Sequence, residues 1–324
     1  MGAQLRVYRR RIRSVQSTKK ITKAMELIAA SRIVKAQARM REAKPYATAL
    51  TRALAELARD NTLKHPMLTG RTQPRRSGIL LITSDRGLAG GYNANAIKRA
   101  NELANQLQGA GREVVRYVIG RKGVAYYRFR GVSLAGEWTG FSEQPAFGNA
   151  RGATQTVVAA LSATSDGLTA DDTPGIDELY LVYTRFVNSV SQTPAVVLVS
   201  PVKGDAVAGA ETAHFERPDT AAGADGDAED GPGGAYEFEP EAELLLGSIL
   251  PRYISARIFS GLLESAASES AARRRAMKSA SDNATDLIRT YTRLANQARQ
   301  AEITQEISEI VGGADALAAA ANEE

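Results

Sequence analysis

Two stretches of the chain carry residue types that could do chemistry. "SDRGLAGGYN" (Ser84 to Asn93) sets Gly87, Gly90 and Gly91 between an apolar run and an amphipathic one. A glycine-rich turn from strand to helix is a place where backbone N–H groups cradle phosphate. The glycines do not follow G-x-G-x-x-G spacing and no GK[ST] ending follows, so the turn reads as structural. Asp85 and Arg86 could form an ion pair there. No paired carboxylates and no Ser/His/Asp set occur elsewhere. With no cysteine and only His65 and His214, zinc binding and histidine catalysis lack their usual residues. The expectation is a chain without catalytic, cofactor or metal residues.

The second stretch is cationic. Residues 1–44 carry 13 Lys or Arg against Glu26 and Glu42, and "AARRRAMK" (Ala271 to Lys278) adds Arg273, Arg274, Arg275 and Lys278. The opposite sign collects in residues 205–243, where 12 acids face Arg217 alone. A basic helix fits nucleic acid, an acidic protein or anionic lipid, and composition does not choose among them. Tyr8 is the one aromatic residue before Tyr46 and lies on an apolar seam, so stacking on single strands has no platform. No run approaches the roughly 18 apolar residues of a membrane span. The basic N-terminus lacks the apolar core of a secretory signal, which points to the cytoplasm.

These residues need long helices to position them. Apolar residues fall at Leu5, Tyr8, Ile12 and Val15, then at Ile33, Ala36, Met40, Ala43, Ala47, Leu50, Leu54 and Leu57. Both sets share one heptad phase, which predicts a helix over residues 3–58, bent at Pro45. Between them "KKITKAMELIAAS" (Lys19 to Ser31) breaks the pattern. The phase puts Lys19, Thr22, Glu26 and Ala29 on the seam, while Met25 and Ile28 come one residue early, roughly 100° around the helix. The stripe there is expected to turn toward something other than the partner helix. A second long helix, from about Pro240, repeats the spacing at Met277, Ala280, Ala284, Leu287, Tyr291, Leu294, Ala298 and Ala301, then rotates to Ile303, Ile307 and Ile310. Two narrow seams flanking one domain predict an antiparallel coiled coil whose contacting residue numbers sum to near 300.

The middle of the chain reads as an α/β unit. "GILLITS" (Gly78 to Ser84), "REVVRYVIG" (Arg112 to Gly120) and "GVSLAGEW" (Gly131 to Trp138) are strand-like and alternate with amphipathic segments near 92–108, 121–129 and 149–164. Such alternation predicts a mostly parallel sheet covered by helices. "DELYLVYTRFVN" and "TPAVVLVSPV" should add an antiparallel edge. Residues 205–235 are acidic and nearly free of large apolar side chains, the composition of a mobile loop. The expected parts are 1–60 (first helix), 76–204 (α/β domain), 205–239 (acidic insertion) and 240–324 (second helix).

"RRIRSVQSTKKITKAMELIAASRIVKAQ", "TSDRGLAGGYN" and "MKSASDNATDLIRTYTRLANQARQAEITQEISEIVGGA" together resemble the gamma chains of F-type ATP synthases. Within the last, Ile303, Thr304, Glu306, Glu309, Ile310, Gly312, Gly313 and Ala314 are similar to that family's signature. The resemblance implies an antiparallel coiled coil joined to a Rossmann-like α/β domain. It implies a central rotor shaft standing in a ring of alternating alpha and beta chains. The α/β domain would rest with an epsilon chain on a membrane ring of c subunits. It further implies a peripheral position on the cytoplasmic face of the cell membrane, and ATP chemistry on the alpha and beta chains. Met25 and Arg273 match positions facing the acidic lever loops of beta, and Arg299, Gln300 and Thr304, with Glu306 beside them, match positions gripped by another beta loop. On this reading Lys19, Lys20, Lys23, Met25 and Ile28 form the face that serves a second partner. The acidic insertion, the polar loop Ser162 to Gly175 and the Ala-rich end beyond the signature are departures from the family core.

Overall fold

A computed structural model describes residues 2–59, 65–202 and 242–321. The acidic stretch 205–235 and His214 lie outside the described residues. The elements are α1 (Gly2–Arg59), α2 (Pro66–Thr69), β1 (Arg76–Ile82), α3 (Tyr92–Gly109), β2 (Glu113–Ile119) and α4 (Arg121–Phe129), followed by β3 (Gly136–Trp138), α5 (Phe147–Ala163), β4 (Glu178–Phe186), β5 (Gln192–Ser200) and α6 (Ala242–Ala321). Helix α1 runs on through Pro45 and α6 through Pro251. Two compact units result, each using part of both long helices. One comprises Met1–Ala29 with Arg274–Glu324, the other Ala30–Arg273.

The larger unit is built on a five-stranded sheet of order β3-β2-β1-β4-β5. The first four strands are parallel and β5 returns antiparallel on β4. Successive side chains of β1 point to opposite faces. Leu80 and Ile82 join a core with α5 and the Leu246–Leu262 stretch of α6, while Ile79 and Leu81 join a second core with α3 and α4. Covering on both faces explains why β1 is apolar at every position from Ile79 to Ile82 rather than alternating. Each such fully buried side chain contributes about 1.5–3 kcal/mol. The third strand is shorter than its sequence predicts. After α4 the chain turns at Gly131 (φ 67°), with the Gly131 and Val132 N–H groups bonding back to the carbonyls of Arg128 and Tyr127, and pairing starts only at Gly136.

Two buried carboxylates tie the sheet to its surroundings. Asp177, just before β4, accepts the N–H groups of Arg75 (2.8 Å) and Ser165 (3.0 Å) and the Arg71 guanidinium (3.3 Å). Burial pushes its pKa up, but the donated N–H bonds outweigh burial and hold it below the usual range. Glu264 of α6 behaves oppositely: burial raises it to about 7, against the opposing pull of Arg185, the Phe186 N–H, Arg257 and the Tyr183 hydroxyl.

Strand β2 enters α4 through Gly120, at φ 103°, where a Cβ would lie 2.2 Å from the Thr83 carbonyl oxygen. Gly120→Ala should therefore lose about 3 kcal/mol or more of stability from strain and overpacking. Gly131→Ala, which also has positive φ but no atom within 4 Å of the added Cβ, should lose only about 1 kcal/mol. Thermal or denaturant unfolding of the two full-length variants measures the difference, and equal losses would show that the close approach to Thr83 is unimportant.

The raised value of Glu264 makes its neutral form the native one. Its contribution is complete below the ordinary value of 4.5 and is lost as pH rises through about 7. Stability should fall by roughly 3 kcal/mol across that window. In Glu264→Gln the fall should disappear, which unfolding midpoints measured on both sides of neutrality will test.

Candidate functional site

In the smaller unit the two long helices are antiparallel partners. The rings of Tyr8 and Tyr291 lie 6.4 Å apart and the Arg11 guanidinium sits 5.7 Å over Tyr291. Their numbers sum to about 300, the register expected from helix lengths. Leu5, Tyr8, Ile12 and Val15 are half-buried along this seam.

The seam does not turn at Lys19. Lys19 is half-buried, Thr22 is 8% exposed, the Glu26 side chain is largely covered and Ala29 is buried, all in the unbroken phase. Thr22 spends its hydroxyl on the Lys19 carbonyl (3.1 Å), and Glu26 takes the Lys23 ammonium (3.0 Å). The apolar side chains displaced from the seam are left outside: Ile21 is 58%, Ile28 53% and Leu27 63% exposed, with Met25 half-buried. Ile21, Met25 and Ile28 cluster roughly 120° around α1 from the seam. The expected turning of the stripe is a change of residue type on a straight seam. Lys20 and Lys23 are exposed beside this patch.

Helix α6 departs from its expected seam in a related way. Of the positions expected on its seam, Met277 and Ala284 are buried and Ala280, Tyr291, Leu294 and Ala298 half-buried, with Ser281, Ile288 and Ala295 covered beside them, while Leu287 and Ala301 are not covered. Small residues sit where the helices approach, and a large one is displaced outward. Farther along, Ile303, Ile307, Ile310 and Val311 are all exposed, as are Arg299, Gln300, Thr304, Glu306, Glu309, Gly312 and Ala314. By the sum of 300, α1 has no residue to set beside this stretch. Within it Gln305 donates to Glu309 (2.8 Å) and Ser308 to the Thr304 carbonyl (2.9 Å), bonds along the helix itself.

The glycine-rich turn belongs to the larger unit, and its polar side chains are taken up by neighbouring segments of the chain. Asp85 accepts the N–H groups of Gly140 (2.8 Å), Ser142 (2.9 Å) and Arg121 (3.1 Å), so a carboxylate of the chain already occupies the N-terminus of α4. Burial pushes Asp85 up, and the donated bonds more than offset this, leaving it below its ordinary value. The Ser84 N–H donates to Asn93 (2.9 Å) and its hydroxyl to the Arg86 carbonyl (2.6 Å). The position an incoming phosphate would take at α4 is filled. The ion pair expected between Asp85 and Arg86 does not form: Asp85 turns to backbone N–H groups, and Arg86 pairs with Glu143 at 3.4 Å.

Arg273, expected to face the beta chains, is buried. It pairs with Glu269 (2.7 Å) and Glu143 (3.3 Å) and donates to the carbonyls of Gly87 (3.3 Å) and Arg86 (3.4 Å). Glu143 also takes Arg32 at 2.5 Å. The structure thus brings Arg273 and the Ser84–Asn93 turn together and withdraws Arg273 from the surface. Arg274, Arg275 and Lys278 remain exposed. Sequence reasoning missed Glu143 and Glu269. The second was detectable, four residues before Arg273 on one helix face. Among the described residues, no group of three or more His, Asp or Glu could hold a metal ion, and no helix is long and apolar enough to cross a membrane.

A family model described as ATP synthase matches residues 4–317. The chain is 52% identical over 321 residues to the ATP synthase gamma chain of Parafrankia sp., covering 99% of this chain and all of the relative. It is 50% identical over 322 residues to the ATP synthase gamma chain of Mycolicibacterium smegmatis, covering 98% and 99%. Among solved structures it is similar to a chain from the central stalk and c-ring of the Tetrahymena thermophila mitochondrial ATP synthase (TM-score 0.56, 22% identity, 81% of this chain and 99% of that one). It is also similar to a rotor chain of the Euglena gracilis mitochondrial ATP synthase (TM-score 0.59, 17% identity, 94% and 100%). At such identities the structural likeness establishes the fold, and the sequence matches establish the lineage: the chain belongs to the ATP synthase gamma chain family.

Proposed function

We propose that this chain is the rotor shaft of a proton-translocating ATP synthase. It stands in a ring of alternating alpha and beta chains, rests with epsilon on the c-subunit ring, and lies at the cytoplasmic face of the cell membrane as a peripheral subunit. Proton flow through the membrane ring turns it, and its unlike faces drive the catalytic sites of the head through successive states. The same contacts regulate ATP hydrolysis by the head. The chain itself is not catalytic and takes no cofactor.

The observation that supports this reading best is the outward patch of Ile21, Met25 and Ile28 on a helix whose seam has been given to Lys19, Thr22 and Glu26. Large apolar side chains held in water beside lysines fit a protein surface that is apolar with acidic groups at its rim. The beta chains would meet Lys19, Lys20, Lys23, Met25 and Ile28 at this level. Higher in the ring they would meet Arg299, Gln300, Thr304 and Glu306, on the stretch of α6 that α1 does not accompany. Arg273 acts in this scheme as an internal brace holding the Ser84–Asn93 turn to α6, and its expected contact with beta passes to Arg274 and Arg275.

Producing the chain with and without alpha and beta chains, then assaying each purified product, tests the proposal. The chain alone should show no ATP hydrolysis and the assembled head should be active. Ile21→Asp with Ile28→Asp should weaken assembly or coupled turnover about 10-fold or more, since each buried apolar side chain is worth about 1.5–3 kcal/mol. The unfolding midpoint of the variant alone should scarcely change. Hydrolysis by the chain alone, or a fully coupled double variant, would refute the reading.

The brace role of Arg273 is separable. Arg273→Ala should cost about 3–5 kcal/mol of stability, because the buried Glu269 would lose its cation, whereas Glu143 keeps Arg32 and Arg86. Arg274→Ala should stay within about 0.5 kcal/mol. Equal effects would show that Arg273 is no more a brace than the exposed Arg274.

A further inference from the structure

Between α1, α6 and the sheet of the larger unit lies an open cavity of about 300 Å³, at the small end of the range for ligand pockets. Its floor is apolar, made by Leu181 of β4 and Val197 of β5 with Tyr183 and Tyr253 beside them. The space exists because the facing helix residues are small. Ala47 of α1 and Ala256 of α6 line it, and Gly261 brings α6 so near the sheet that a Cβ there would lie 2.9 Å from Leu181. Apolar walls without packing partners forfeit the contacts that would stabilise them. A molecule of the right size supplies what the chain does not.

The polar groups around the cavity divide into two sets. The charged side chains of its walls, Lys44, Arg52, Arg257 and Glu264, are each engaged within the chain. Glu264 faces Arg185 and Arg257 and meets the Phe186 N–H and the Tyr183 hydroxyl, and Arg257 also lies 6.0 Å over the Tyr253 ring. A ligand that brought a charge would have to break one of these arrangements. The hydroxyls differ. Thr51 donates to the Ala47 carbonyl (2.8 Å). Thr48 of α1 and Ser260 of α6, both half-buried, take no hydrogen-bond partner among the described residues. One comes from each long helix, and each can donate and accept. We propose that this cavity binds a small uncharged molecule whose apolar body lies against Leu181 and Val197 while a hydroxyl or carbonyl group meets Thr48 and Ser260.

Such a ligand touches α1, α6, β4 and β5 at once. Only the folded chain assembles these walls, so binding stabilises the larger unit against unfolding. The proposal concerns the chain by itself and does not depend on its rotor role.

The full-length chain titrated with phenylnaphthylamine, an uncharged fluorescent probe, tests it. One probe should bind per chain and raise the unfolding midpoint. Naphthol should displace it at about threefold to tenfold lower concentration than naphthalene, although naphthalene is the more apolar of the two. Thr48→Val with Ser260→Ala should abolish that preference and leave displacement by naphthalene unchanged. Ser260→Phe, which fills the space, should weaken the probe about tenfold or more, and Thr48→Phe replaces it if it does not fold. Anilinonaphthalene sulfonate, a related ring system with a negative charge, should bind about tenfold more weakly than the uncharged probe. Binding that is indifferent to the filling variants, or that is lost instead in Ile21→Asp with Ile28→Asp, would overturn the proposal. Equal displacement by naphthol and naphthalene, or tighter binding of the sulfonate, would overturn it as well.

Discussion

A helix has one circumference, and each side chain on it can serve the seam or the outside but not both. At the level of Lys19 to Ala29 this limit shapes the smaller unit. The pairing of α1 with α6 persists there on Thr22, Glu26 and Ala29, residues that bury little apolar area. Hydrogen bonds internal to α1 satisfy Thr22, and the Lys23 ion pair satisfies Glu26. That leaves Ile21, Leu27 and Ile28 outside, where free water gives them no stabilisation. On the function proposed above, a shaft presents an apolar surface to a second partner without dissolving its own pairing, and a polar seam under an apolar exterior suits both demands. The displacement of Leu287 on α6 follows the same logic, with Ser281 and Ala284 taking the seam beside it.

The larger unit resolves a different competition. A strand-to-helix turn rich in glycine could hold an anion, but this one instead supplies one: its Asp85 reaches out to the N–H groups of Arg121, Gly140 and Ser142. The turn thereby acts as a joint. On its other side Arg273 reaches the carbonyls of Arg86 and Gly87 while pairing with Glu269, so the turn is held to α6 through buried, charged hydrogen bonds. Such bonds are short and directional, and breaking one leaves a buried charge without its partner. A joint of this type suits a body that transmits force between a compact domain and a long helix.

Much of this was legible in the sequence, because period and composition act locally. The parallel strands, the antiparallel edge, the antiparallel long helices and their sum near 300 all follow from spacing alone. What was not legible depended on tertiary partners. The heptad phase of α1 predicted its seam, and the early Met25 and Ile28 predicted an apolar stripe turned away from it, but spacing did not show that Lys19, Thr22 and Glu26 keep the seam covered at the same level. On α6 the spacing placed Leu287 on the seam although it is exposed, since spacing cannot tell a side chain facing a close helix from one facing outward. Arg273 looked like surface because three arginines in a row usually are. Its burial depends on Glu143, 130 residues away in sequence, a pairing that local pattern does not encode.

The chain contains no cysteine, so single cysteines can report each position without interference. Maleimide labelling rates of Ile21→Cys, Ile28→Cys and Thr22→Cys, measured in the chain alone and after assembly with alpha and beta chains, address the central point directly. The polar-seam arrangement predicts fast labelling at 21 and 28 in the free chain, strong protection of both on assembly, and slow labelling at 22 in either state. Fast labelling at 22 in the free chain, or undiminished labelling at 21 and 28 in the assembled head, would contradict it.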